Sequence, residues 1–266
     1  MHLGDECPAQ SSIRVGGISY LNSKPLLWKL EEEARRRGIG VVLSTDVPSE
    51  LARKLAVGML DVGLISSVEF FRSSRYRVVS DACVSSFGPV RSVKVLGRVA
   101  PKDVRVLALD AGSRSSAVLA RILFAELAGT TPATRTFPLG AALEEIHADA
   151  VLIIGDRAMR PTSGGFAFEW DLGATWKDLT GLPFVFALWI ASEEAATGEL
   201  AALLSTVRDG GVEHLDELAE AAAGTLGFNA DFCRKYLREH IRFHLGDFEK
   251  AGLRKFREFT EKHGLL

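Results

Sequence analysis

The chain of 266 residues has little cysteine, with three residues, and as few methionines and tyrosines. Cys7, Cys83 and Cys233 are odd in number, far apart and without CxxC spacing, which argues against a disulfide framework and a structural zinc site. Long apolar runs are also missing. None approaches the roughly 18–20 residues that cross a bilayer, so no membrane insertion is expected. The opening stretch carries Asp5, Glu6 and Pro8 and no apolar core of the kind a secretory signal needs. Residues 1–12 therefore read as a flexible extension and the chain as cytoplasmic. Charge of one sign is lacking too: 32 Lys+Arg against 34 Asp+Glu leave a net −2, so nucleic acid is not an expected partner.

Familiar catalytic signatures are absent as well. There is no GxSxG elbow, and neither GxGxxG nor GxxxxGK[ST] occurs. His240 and His244 stand four apart, but no HExxH pattern or third ligand accompanies them, so no metal is expected.

What is present is an ordinary globular composition, 47% hydrophobic and 25% charged, long enough for one large or two mid-sized domains. Its main organising feature is an internal echo. Ile13–Ile18 reads as a buried strand, followed by polar Ser19 to Lys24 and an apolar-periodic segment from Leu26 to Glu33. Val104–Leu109 reads alike, followed by Asp110 to Ser116 and a helix with Leu119, Ile122, Leu123 and Leu127 on one face, stopped by Gly129. A second pair follows: a short helix capped by Ser49 and stopped by Gly58 leads to the strand Asp61–Ile65, and a short helix with Leu143 and Ile146 leads to Asp149–Ile153. The matched elements are nearly evenly spaced, which suggests two α/β lobes of similar plan with mainly parallel sheets.

Val93–Val99 and Phe184–Ala191 read as strands crossing between the lobes. Lobe 1 is then residues 13–99 plus 186–266, and lobe 2 is an insertion of 100–185. Glu199–Arg208 and Val212–Ala223 read as helices. Asn229 is a cap for a helix with Phe232, Tyr236 and Ile241 inward, and Asp247 caps a last helix ending at Gly264.

Ligands of open α/β sheets collect at the carboxyl ends of strands. Four loops qualify: Tyr20-Leu21-Asn22-Ser23, Ser66-Ser67, Asp110 to Ser116, and Gly155-Asp156-Arg157. The third opens a helix, where unpaired N–H groups and the hydroxyls of Ser113, Ser115 and Ser116 make either an anion site or simple capping. Ser85-Ser86-Phe87-Gly88-Pro89 is a second serine-rich loop, either a carboxylate holder or an ordinary turn. Asn22 either faces the cleft or makes an Asx-turn before Pro25, and Lys24, Arg114 and Arg157 could add charge. Cys83 reads as a small buried hydrophobe. No side chain in the four loops is an obvious general base. Two matched lobes around a polar cleft suggest a small-molecule binding architecture of the periplasmic type.

The residues also carry a family resemblance. Ser19-Tyr20-Leu21-Asn22-Ser23-Lys24-Pro25-Leu26 after the first strand resembles the start of the chorismate dehydratases of the futalosine route to menaquinone. Leu60–Ile65, Ser113-Arg114-Ser115-Ser116, Gly155-Asp156-Arg157-Ala158, Asp171-Leu172 with Trp176, and Leu182-Pro183-Phe184-Val185-Phe186-Ala187 also fit that family. The resemblance runs from about Ile13 to at least Tyr236. It implies a two-lobed fold of the type II periplasmic-binding-protein kind, with two α/β lobes joined by crossing strands. It also implies conversion of chorismate to 3-[(1-carboxyvinyl)oxy]benzoate and water without cofactor or metal, with the substrate's own enolpyruvyl carboxylate as base. Asn22 corresponds to the family's active-site Asn, and Ser86 best matches its carboxylate-binding serine, with Ser85 one position away. Ser23, Ser66, Ser113, Arg114, Ser115, Ser116, Gly155 and Asp156 are the remaining expected substrate contacts. The sister enzyme making 1,4-dihydroxy-6-naphthoate would show an SPCPND-type first loop, which this chain lacks; a non-catalytic solute-binding domain is the other alternative.

Overall fold

The computed structural model describes residues 12–162 and 165–266. The extension expected at residues 1–12 lies, apart from Ser12, outside the described residues, as does Cys7. Two mixed sheets organise the rest. The first contains β1 (Ile13–Ile18), β2 (Val41–Asp46), β3 (Val62–Ser66), β4 (Tyr76–Ser86), β10 (Phe184–Ser192) and β11 (Arg242–His244), in the order β11-β4-β10-β3-β1-β2. The second contains β5 (Val93–Gly97), β6 (Val106–Asp110), β7 (Ala133–Phe137), β8 (Ala150–Ile154) and β9 (Phe168–Asp171), in the order β7-β6-β8-β5-β9.

The echo is a true repeat of topology. In each sheet three parallel strands, β2-β1-β3 or β7-β6-β8, are followed by antiparallel partners. It extends to side-chain bonding. The Asp61 carboxylate accepts from Arg14 N–H at 2.7 Å, and the Asp149 carboxylate accepts from Val106 N–H at 2.8 Å. In both lobes an aspartate before the third strand thus ties down the start of the first. The repeat's edge strands gave little sequence signal: β7 is exposed except for Phe137, and β2 has only the short apolar run Val41–Leu43, half of its six residues being exposed.

Sheet membership alters the expected crossings. Val93–Gly97, expected to cross between lobes, pairs entirely with β8 and β9 in the second sheet. The chain crosses earlier, between Ser86 and Val93, and returns through α5 (Leu172–Thr180) into β10. A short strand that is apolar on both faces reads alike whichever sheet takes it in. At the return, Trp176 and Phe184 lie with ring centroids 5.4 Å apart, and Phe256 of the last helix packs 4.7 Å from Phe184.

Helix details differ in instructive ways. α2 (Pro48–Ala56) starts one residue before Ser49, with Pro48 in its first turn and no side-chain cap. Leu127, expected inward, is exposed, because the chain after α4 (Ser115–Leu123) widens into a π turn over Phe124–Ala128 and rotates the apolar face. α6 (Gly198–Glu213) runs unbroken through Gly210 and Gly211. A Cβ at Gly211 would lie 1.9 Å from the Pro25 carbonyl oxygen, so helix and loop touch through a residue without a side chain. Asn229 caps α8 (Ala230–Lys235) by accepting from Asp231 N–H at 2.7 Å; Tyr236 and Ile241 are buried, but Phe232 is exposed. Asp247 is the first residue of α9 (Asp247–Lys262) rather than its cap. Among the described residues no helix is long and apolar enough to cross a membrane.

Candidate functional site

The four loops expected to meet do meet. A cavity of about 40 Å³ is lined by Ile18, Tyr20 and Asn22 after β1, Ser66 at the end of β3, Ser113, Ser115 and Ser116 after β6, and Ile154 and Gly155 at the end of β8. Both parallel triplets therefore aim the carboxyl ends of their central strands at one point, where the sheet architecture places ligands. A wider groove of about 730 Å³ lies elsewhere, between α6 and β11. Its arginines are paired with acids, Arg208 with Asp81 at 2.6 Å and Arg238 with Asp216 at 3.0 Å, and no parallel strand ends there.

The cavity is uncharged along its described lining: Tyr20, Asn22, Ser66, Ser92, Ser113, Ser115 and Ser116 supply its polar groups, set among apolar walls from Ile18, Val84, Val93, Ile154 and Phe186. Two buried oxygens, Asn22 Oδ1 and Ser113 Oγ, have no hydrogen-bond partner. An unpaired buried polar atom costs about 1–3 kcal/mol, and both belong to residues that line the cavity. Ser115 and Ser116 form the first turn of α4, whose leading N–H groups have no carbonyl within the helix and whose dipole favours an anion.

Several expected contacts have other duties. The Ser23 hydroxyl is spent on the carbonyls of Ile18 and Tyr20, at 2.5 and 2.8 Å. Ser86 donates to Gly88 O at 3.2 Å and Ser85 to Arg242 O at 3.2 Å; neither belongs to the cavity lining. Ser115 Oγ accepts from Val68 N–H at 3.0 Å and lies 3.1 Å from Ser67 Oγ. Arg114 reaches Glu69 at 3.2 Å and donates to Ser49 O at 3.2 Å. Asp156 Oδ1 accepts from Leu21 N–H at 3.0 Å. Ser115, Arg114 and Asp156, all placed in the inserted part of the chain, thus clasp the first-sheet side, and of the three only Ser115 also lines the cavity.

Arg157 pairs with the buried Asp110, not with Asp156. Burial raises the carboxyl pKa of Asp156, against the lowering effects of the Leu21 N–H and of Lys24 and Arg160. Burial also pushes the Tyr20 phenol up, helped by the negative charges of Asp110 and Asp156. The Tyr20 ring is seated over Gly155, whose φ of +73 favours glycine; a Cβ there would lie 2.6 Å from the ring. Burial drives the Cys83 thiol up to about 12, as befits an inert core residue. His240 faces Pro89 O at 2.9 Å and His244 faces Asp81 at 3.3 Å, so the two point to different partners.

The lining residue Ser92 and the tyrosine behind it escaped the sequence. Ser92, in the crossing segment, lines the cavity, and its hydroxyl accepts from the buried Tyr236 at 2.8 Å. Ser92 follows no strand, and Tyr236 looks like any core aromatic on a helix, so no local signal marks either.

A cleft at opposed strand ends between two α/β lobes defines the class, a protein of the periplasmic-binding-protein fold. Solved structures agree. A protein of Archaeoglobus fulgidus superposes with a TM-score of 0.73 at 17% identity, covering 96% of this chain and 98% of that one. The periplasmic aliphatic sulphonate binding protein SsuA of Escherichia coli gives 0.61 at 17% identity, covering 96% and 88%. At such identities the likeness concerns the fold alone. The family model for menaquinone biosynthesis matches residues 13–262. A chorismate dehydratase of Thermus thermophilus is 32% identical over 262 residues, covering 92% of this chain and 93% of that protein. The chain belongs to the menaquinone biosynthesis family.

Proposed function

We propose that this protein is a chorismate dehydratase, a carbon–oxygen lyase that removes water from chorismate to give 3-[(1-carboxyvinyl)oxy]benzoate. The observation that carries the reading is the cavity between the two lobes, with Asn22 Oδ1 and Ser113 Oγ buried and unpaired at its wall. Kinship with the chorismate dehydratase of Thermus thermophilus supports the choice of substrate.

The reaction takes the ring proton from the ether-bearing carbon and the hydroxyl from its neighbour, which leave together as water from an aromatised ring. Aromatisation supplies the driving force, so the protein's work is to orient the substrate and stabilise charge. Negative charge formed at the ether-bearing carbon spreads through the adjacent double bond into the ring carboxylate. Neutral donors there, Ser113, Ser116 and the N–H groups opening α4, strengthen their bonds as that charge grows. Among the described lining residues there is no imidazole, amine or carboxylate to take the proton. The enolpyruvyl carboxylate of the substrate itself does so, delivered to the ring by Asn22.

The test is to incubate the purified protein with chorismate and follow aromatic product by absorbance and mass spectrometry. Turnover to a product lighter by one water is expected. Saturable binding with chorismate recovered unchanged would favour a receptor domain of the same architecture.

A further inference from the structure

Tyr236 belongs to no strand-end loop, yet its hydroxyl sits behind the cavity wall. The residue is 1% exposed and donates to Ser92 Oγ at 2.8 Å. The same phenol lies beside the Asn22 side chain, which counteracts the upward pull of burial on its pKa. One hydroxyl from the C-terminal helices therefore touches two cavity-lining groups that come from unrelated parts of the chain, the turn after β1 and the crossing before β5. The backbone is locally irregular at this point: α8 gives way to a π turn over Tyr236–His240, which Tyr236 opens. Such turns interrupt the regular ladder and recur at functional sites.

We propose that Tyr236 is a positioning residue of the dehydration site, an inference that rests on the chorismate reading above. By donating to Ser92, the phenol occupies a lone pair of that hydroxyl and leaves the Ser92 hydrogen to be donated into the cavity. Without it the hydroxyl turns among several rotamers, and the donor is no longer set before the substrate arrives. Ser92 then contributes to transition-state stabilisation only when Tyr236 holds it. Tyr236 never touches substrate.

The test is a double-mutant cycle in the full chain with Tyr236→Phe, Ser92→Ala and the pair, measuring kcat and KM for chorismate together with melting temperature. Tyr236→Phe is expected to lower kcat about tenfold with KM changed less than about threefold, the loss of one oriented hydrogen bond. The double variant is expected to have the kcat of Ser92→Ala alone. It should melt close to the wild type, because both partners become apolar together. Wild-type kcat in Tyr236→Phe overturns the proposal. So do losses that add in the double variant, or a kcat loss that follows the melting temperature. Wild-type protein that binds chorismate without converting it defeats the enzymatic reading instead, and the same cycle on calorimetric dissociation constants then decides the pair. Protein that neither binds nor converts chorismate removes both.

Discussion

In the proposed mechanism the chemistry turns on Asn22. This residue lines the cavity, and its carboxamide oxygen is buried without a partner, an arrangement that costs stability. Asn22→Ala is expected to lower turnover about 100-fold, roughly 2.7 kcal/mol of transition-state stabilisation, while the protein still folds. Steady-state rates on protein with an unchanged melting curve check this, and unaltered turnover would remove Asn22 from the site. The sequence pointed to Asn22 through its place after the first strand. It could not separate Ser113, with its unpaired hydroxyl, from Ser23, whose hydroxyl closes its own turn. Both are serines in strand-end loops, and only the direction of the side chain distinguishes them.

At the scale of elements, α4 and the turn that leads into it do two jobs with neighbouring residues. Ser113 and Ser116 line the cavity, whereas Ser115 also bonds Val68 N–H and Ser67 across to the first-sheet side. Joint Ser113→Ala and Ser116→Ala is therefore expected to weaken chorismate binding about tenfold by calorimetry at nearly constant melting temperature. Ser115→Ala is expected to lower the melting temperature, because it strands a buried N–H, at a cost of about 1–3 kcal/mol. Equal effects of both changes on both measurements would contradict this division. The strands β1, β3, β6 and β8 were legible within about a residue or two, since each is a short apolar run bounded by turns. The edges β2 and β7 were not, because β7 is polar and exposed up to Phe137 and the apolar run of β2 stops after Leu43.

At the scale of the whole molecule, a cavity of about 40 Å³ holds a few waters at most, far below the 300 Å³ or more usual for small-molecule sites. The lobes must therefore part to admit a ring with two carboxylates. The clasps made by Asp156 to Leu21, Arg114 to Glu69 and Ser115 to Val68 are the bonds that opening breaks. Small-angle scattering is expected to show a smaller radius of gyration with chorismate than without it, a difference that Asp156→Ala and Arg114→Ala together enlarge by opening the ligand-free state. Superimposable curves in both states would rule out closure as part of the cycle.

The periodicity and turn chemistry of the chain were enough to determine two α/β repeats and the four strand-end loops that meet at one cavity, because strand alternation, helix faces and Gly stops are local properties. Local signals could not assign the strand Val93–Gly97 to its sheet, turn Arg114 and Asp156 into clasps, or bring Tyr236 to Ser92 across 144 positions of chain. Those outcomes depend on which surfaces pack together. Packing is set by the sum of many weak contacts between distant segments, and only the tertiary structure adds them up.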